Sequence, residues 1–307
     1  MDERGTRDSI LVGVDGSTSS LHATRWAAGE AAARHTTVHL FHACVLPALG
    51  PHTSAATEAG ITEDLVQQGH RWLRQARAEA WHAAPGIDVR TELRVGLPVA
   101  ELIEESAHAR LVVLGSRGLG GFKGMLVGSV SSGVAAHGHC PVVVVRGRMP
   151  DDPPPASGPV VVGVDGSAVS DAAVAFAFEE AGLRGVPLVA VHTWVDVSVA
   201  ETWSVLPFDI DWDAVAEEER GLLAERMAGW QEKYPEVEVR QEVVCDRPVR
   251  GLLASAEGAQ LIVVGSRGRG TLTGMGLGST SQALLHHSAC PVAVVRPAAG
   301  SDVREGG

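Results

Sequence analysis

The sequence predicts an α/β protein built as two tandem domains, each a five-stranded parallel sheet with helices on both faces. Three observations predict this. Short Val/Ile/Leu-rich runs alternate with longer helix-like stretches, the whole pattern is written twice at a constant offset, and a proline-rich stretch divides the copies. Continuous apolar runs such as "LVVLG" (111–115) and "PVVVV" (141–145) suit strands covered on both faces of a parallel sheet. Strand–helix alternation implies right-handed crossovers and a doubly wound sheet. The length of 307 residues agrees, because single cores stop growing at roughly 250–300 residues.

The elements follow in order. "ILVGVDGS" (10–17) opens the first strand, expected over 9–15, and "DGS" at its end supplies turn and N-cap residues for a helix over 18–34. A second strand is expected over 37–45. The connection over 46–60 reads as flexible and able to lie over a pocket. A helix over 61–83, a strand over 87–95 and a helix over 98–108 come next. The fourth strand, 111–115, leads into a glycine-studded loop and a helix over 127–137, and a fifth strand over 141–146 closes the copy. The second copy is expected to repeat this 150 residues on: "VVVGVDGS" (160–167) matches "ILVGVDGS" (10–17), and 19 of 36 positions are identical between 111–146 and 261–296. The divider "GRMPDDPPPASGP" (147–159) reads as a semi-stiff linker. The expected domains are 1–147 and 159–307, with 148–158 between them.

Composition narrows the function. Apolar content of 45% and charged content of 20% fit an ordinary globular chain, and 4% aromatics leave a core of Val, Leu, Ala and Ile. A formal net charge of −12 opposes a general nucleic-acid or anionic-membrane surface, while leaving room for one local anion pocket. The charged start "MDERGTRDS" has no apolar signal core, and the apolar runs are too short to span a bilayer, so the expected location is the cytoplasm. Cys44, Cys140, Cys245 and Cys290 show no CxxC or zinc spacing and are expected as free, mostly buried thiols.

In such sheets ligands bind beyond the carboxyl ends of the strands, at the switch point. The first strand runs into Asp15 (Asp165 in the copy) and the fourth into Gly115 (Gly265). From there the loops read "GSRGLGGFKGMLVGS" (115–129) and "GSRGRGTLTGMGLGS" (265–279). Glycines let backbone N–H groups approach a ligand. Gly128-Ser129-Val130 would open a helix whose free N–H groups and positive dipole end suit a phosphate. Neither copy holds a Walker GxxxxGK[ST] loop, and the first turn is not GxGxxG.

With these residues, each half resembles a universal stress protein domain. The resemblance rests on "VGVDGS", on Gly-x2-Gly-x9-Gly-Ser, and on the closing "CPVVVVR" or "CPVAVVR". It covers nearly the whole chain, and the loop resembles that of the ATP-binding subclass. It implies a Rossmann-like (flavodoxin-like) fold with strand order 3-2-1-4-5, and fifth strands that pair within the chain as a pseudo-dimer, with further homodimerisation open. It implies ATP, with Mg²⁺ bridged by its phosphates, as the ligand. Gly13, Val14 and Asp15 would line the adenosine side, Ala43 the adenine edge, Leu114 and Gly115 the ribose region, and Gly118, Gly128, Ser129 and Val130 the phosphates. The second set is Gly163, Val164, Asp165, Thr193, Val264, Gly265, Gly268, Gly278, Ser279 and Thr280. Arg117 and Arg267 are shared cations in reach of phosphate. Within the loops Lys123 faces Thr273 and Leu119 faces Arg269, which predicts two sites of unequal affinity.

Other constellations are weaker. His137, His139 and Cys140 are not kept as a set in the copy, so they read as helix-end polar residues rather than a metal site. His42 and His192, repeated in an apolar strand, read as hydrogen-bonded core histidines. The stretch 211–231 reads as an amphipathic helix with a solvated acidic face, and Trp194, Trp203 and Trp212 as loop packing or a partner surface. The expected function is an ATP-binding stress-response regulator with little or no turnover and an unidentified protein partner. A slow ATPase or adenylyl-transfer enzyme, and an interaction protein with vestigial pockets, are the alternatives.

Overall fold

A computed structural model describes residues 9–48, 54–119, 127–149, 152–194, 212–268 and 276–297. The chain divides into two compact units, Met1–Pro153 and Pro154–Gly307. In unit 1, β1 (Ser9–Gly13), α1 (Thr18–Arg34), β2 (Thr37–Cys44), α2 (Ala55–Ala83), β3 (Val89–Val95), α3 (Pro98–Ser106), β4 (Ala109–Gly115), α4 (Ser129–His137) and β5 (Val142–Val145) follow one another. The strands are parallel, in the order β3-β2-β1-β4-β5. Unit 2 repeats the plan with β6 (Val160–Gly163), α5 (Ala168–Arg184), β7 (Leu188–Thr193), α6 (Trp212–Lys233), β8 (Val239–Val244), α7 (Pro248–Ser255), β9 (Leu261–Gly265), α8 (Ser279–His287) and β10 (Val292–Val295), in the order β8-β7-β6-β9-β10.

Strand order reverses between β1 and β4, and between β6 and β9. The central strands are covered on both faces: Ile10, Leu11, Val12, Val112, Val113, Val143 and Val144 are wholly buried, as are Val160, Val161, Val162 and Val263. Edge strand β3 carries only partly buried and exposed residues and none that is fully buried, as fits a strand at the edge of the sheet. Helix α1 buries Ala23, Ala27, Ala28 and Ala31, all without exposed surface. It starts where Ser17 accepts the Ser20 amide at 3.1 Å, and stops where His35 takes the left-handed conformation, φ 52°.

The second helices differ between the units. Ala28, Ala80 and Ala84 form a small-residue contact between α1 and α2. The positions 150 residues on are Phe178, Trp230 and Tyr234, which stack with ring centroids 5.6–6.4 Å apart and planes 22–26° apart. The volume change is concerted: three methyl groups at one helix pair, three aromatic rings at the other.

Three expectations need correction. The first strand ends at Gly13, and Asp15 lies in the turn beyond it. The stretch 55–60, expected as flexible connection, forms the first turns of α2, because Ser54 caps it by accepting the Thr57 amide at 3.2 Å; residues 49–53 lie outside the described residues. The acidic run of α6 is only partly a solvated face: Glu217 and Glu218 are exposed, but Glu219 turns inward to His192. Trp203 and the loop differences at Lys123, Thr273 and Arg269 also lie outside the described residues.

Candidate functional site

In unit 1 the candidate residues converge on one cavity of about 420 Å³ at the carboxyl end of the sheet. Gly13, Val14 and Asp15 come from the end of β1 and its turn, Ala43 from β2, Leu114 and Gly115 from β4, Arg117 and Gly118 from the loop, and Gly128, Ser129 and Val130 from the start of α4. In unit 2 the matching cavity, about 330 Å³, is lined by Gly163, Val164, Asp165, Thr193, Val264, Gly265, Arg267, Gly268, Gly278, Ser279 and Thr280. Both lie at the point where the strand order reverses, so parallel-sheet geometry opens a crevice there.

Hydrogen bonds hold the loop's shape. The Gly128 amide donates to the Ser116 carbonyl at 2.7 Å, and the Ser131 hydroxyl donates to the Gly115 carbonyl at 2.6 Å. Unit 2 repeats both, from Gly278 to Ser266 at 2.8 Å and from Ser281 to Gly265 at 2.6 Å. The loop's two ends are therefore pinned together at the mouth of the helix. Asp15 is the second anchor. Its Oδ1 accepts from the Ser17 amide at 3.0 Å and the Ser17 hydroxyl at 2.6 Å, and its Oδ2 accepts from the Leu119 amide at 3.1 Å. One carboxylate thus joins the β1 turn to the glycine loop. Of its roughly four acceptor positions, about one is left for a ligand hydroxyl. A Cβ at Gly118 would lie 2.5 Å from that same Oδ2, which is why the loop carries glycine where it passes the carboxylate.

Gly128 is a different case. Its φ of −73° is open to any residue. A Cβ there would meet nothing closer than the Ser116 carbonyl oxygen, at 3.6 Å. Gly278 has φ −68° and a nearest approach of 3.4 Å. Neither residue caps its helix with a side chain. The fold does not require glycine at these N-caps. What glycine leaves is a helix N-terminus without a side-chain cap at the cavity, where the amides of the first turn have no partner within the helix and the dipole end is positive.

The cations at this end point the same way. Nε of Arg117 and Nε of Arg267 are buried with no acceptor among the described residues. A buried donor left unmade costs about 1–3 kcal/mol. In unit 2, Arg296 donates to the Gly276 carbonyl at 3.1 Å, and burial, then the nearby Arg267 charge, hold its guanidinium below the ordinary arginine value. An oxyanion would satisfy these donors and relieve that repulsion.

His42 is buried and donates Nδ1–H to the Val14 carbonyl at 2.7 Å; His192 does the same to Val164 at 2.7 Å. Both fix the strand end that shapes the pocket, in line with the core reading. Cys44, Cys140 and Cys290 are buried and Cys245 exposed, all as free thiols. Among the described residues, the His/carboxylate group in mutual ligand reach is His39, Glu92 and Glu105. Arg94 already serves it as cation, 2.6 Å from Glu92 and from Glu105 and 3.2 Å from Glu101.

Sequence reasoning missed Trp72. It projects from the middle of α2 into the unit 1 cavity and packs edge-on to His42, with ring centroids 5.2 Å apart. Within the sequence it reads only as one more residue of an amphipathic helix.

Paired crevices in two doubly wound units, each beside a helix N-terminus at the point where strand order reverses, define a tandem α/β protein with one candidate ligand cavity in each unit. Comparison with known proteins sharpens the class. The model of the universal stress protein family matches twice, at residues 6–146 and 157–296. A universal stress protein of Mycobacterium tuberculosis is 45% identical over 293 residues, covering 94% of this chain and 96% of the relative. One from Mycolicibacterium smegmatis is 40% identical over 302 residues, covering 97% and 100%. The crystal structure of a universal stress protein from Archaeoglobus fulgidus shares the fold at TM-score 0.70 and 23% identity, covering 95% and 97%. The chain belongs to the universal stress protein family, as a tandem member. No helix among the described residues is long and apolar enough to cross a membrane.

Proposed function

We propose that each unit binds an adenine nucleotide and that the protein acts as an ATP-responsive regulator in stress response rather than by turnover. The observation that carries this reading is the glycine at the N-caps of α4 and α8. Its backbone needs no glycine and its Cβ would fit, so its use there is to leave the amides open to a ligand. The phosphates would lie on the amides of Ser129 and Val130, and of Ser279 and Thr280, beside Gly128 and Gly278, whose own amides are engaged by the loop, with Arg117 and Arg267 as cations. Several cationic and N–H donors at one end favour a polyphosphate over a neutral nucleoside. Asp15 and Asp165 would accept from a ribose hydroxyl on the opposite wall. Mg²⁺ would arrive with the phosphates, because Asp15 is already engaged by Ser17 and Leu119.

Binding rather than catalysis fits the groups in the pocket. Asp15 serves as a structural acceptor, and the histidine beside the site commits Nδ1–H to a backbone carbonyl. The domain limits 1–147 and 159–307 are proposed as the two binding modules. The test is thermal unfolding of the purified protein with and without Mg·ATP, together with an assay of ADP release. The reading expects a rise in melting temperature that saturates with ATP, and ADP release no faster than the rate without protein. An unchanged melting curve, or sustained turnover lost in the variant Asp15→Ala with Asp165→Ala, contradicts it.

A further inference from the structure

We propose that the two sites are not equivalent: Trp72 makes the unit 1 pocket the tight, base-selective site, and the unit 2 pocket lacks this wall. The proposal rests on the nucleotide reading above and concerns how its two sites divide the work.

Three independent features support it. The first is the position of the ring. A Cβ at Gly16 would overlap the indole atoms Nε1, Cδ1 and Cε2 together, and Gly16 has φ 84°. The indole therefore lies against the β1 turn and edge-on to His42, in the same cavity that Ala43 lines and where the base is expected. Position 222, 150 residues on, is Leu. It is 45% exposed, and no described residue of α6 lines the unit 2 cavity.

The second feature is helix placement. Interaxial distance follows the side chains at the contact. Ala28, Ala80 and Ala84 let α2 approach α1 closely, whereas Phe178, Trp230 and Tyr234 are spacers between α5 and α6. The aromatic wall reaches the cavity only where the helix can come close.

The third is the residue set against the histidine. A Cβ at Gly69 would lie 2.5 Å from His42 Cδ2, so glycine admits the histidine and the indole together. The matching residue is Glu219, whose Oε2 lies 3.0 Å from His192 Nε2. Unit 2 thus engages its strand-two histidine with a carboxylate outside the cavity lining, where unit 1 leaves room for the indole.

An aromatic contact with a base is worth about tenfold or more in affinity. The test uses full-length single-site proteins, Gly278→Glu to leave unit 1 and Gly128→Glu to leave unit 2, titrated calorimetrically with ATP and with GTP. The proposal expects unit 1 to bind ATP at least about tenfold more tightly than unit 2, and to discriminate between the two bases more strongly. Trp72→Leu in the unit 1 protein should weaken ATP about tenfold, and Trp72→Phe should weaken it less. Trp72→Leu in the unit 2 protein should change nothing, which also controls for folding. Equal affinities in the two single-site proteins, or an unchanged affinity in Trp72→Leu, overturn the proposal while the nucleotide reading stands. ATP binding by neither single-site protein, nor by the parent, overturns both.

Discussion

Substituting the glycine at the α4 N-cap separates what the fold needs from what a ligand needs. Gly128 sits at φ −73° and ψ 154°, and an added Cβ meets only ordinary van der Waals neighbours at 3.6–3.9 Å. Two small effects oppose each other in Gly128→Ala. A poorer N-cap costs a few tenths to about 1 kcal/mol, and a stiffer unfolded chain returns about 0.4–1 kcal/mol. The net change should be within about 1 kcal/mol, or about 4 °C in melting temperature. Gly128→Glu keeps the same Cβ but sends a carboxylate into the cavity. At about 5 Å from a phosphate and an effective dielectric of about 20, one pair of like charges costs about 3 kcal/mol. That exceeds a 100-fold loss. Isothermal titration with ATP should find two sites in the parent chain and one in Gly128→Glu, with melting temperatures close together. Two sites of unchanged affinity in Gly128→Glu would refute the phosphate assignment. A collapse of the melting temperature in Gly128→Ala would refute the claim that glycine serves the ligand.

Three further outcomes follow from named contacts. Gly115→Ala places a Cβ 2.6 Å from backbone atoms of Ser19, so it should lower stability by about 1–3 kcal/mol, read in a thermal melt, where Gly128→Ala does not. Asp15→Ala removes the acceptor of three hydrogen bonds; it should destabilise the chain by about 1–3 kcal/mol and speed hydrogen exchange at the Leu119 amide, and unchanged exchange there would contradict the anchoring role. Burial pushes the Cys140 thiol up to about 12 from an ordinary 9.0, so the thiolate that reacts is absent at neutral pH. A thiol reagent should label the exposed Cys245 in the native protein and all four cysteines after unfolding. The same shift has a sign for stability. The unfolded thiol ionises above pH 9.0 while the folded one stays neutral to about 12, so this contribution is complete below 9.0 and is lost as pH rises towards 12.

The fold was legible wherever local chemistry and burial agree. β-Branched runs mark β1, β4 and β5 because both faces of those strands are covered, and the "DGS" turn marks the start of α1 because Ser17 does cap it. The start of α2 was not legible: "AATEAG" (55–60) carries no apolar periodicity, and only the Ser54 cap betrays it. The pocket's loop residues were readable from glycine spacing and duplication. The bridging role of Asp15 was not, since it depends on an amide 104 residues away. Trp72 lay beyond reach for the same reason. Its place in the pocket follows from alanines at 28, 80 and 84 that set how near a helix can come, and their exchange for rings in the copy shows only once the two helices are side by side.

The most direct test of the central claim, one nucleotide site in each unit, is native mass spectrometry of the intact chain titrated with Mg·ATP. The account predicts two successive mass increments of one nucleotide per chain, with Gly128→Glu and Gly278→Glu each abolishing one and the double variant abolishing both. A chain that gains no nucleotide at millimolar ATP, or a double variant that still gains two, would contradict it.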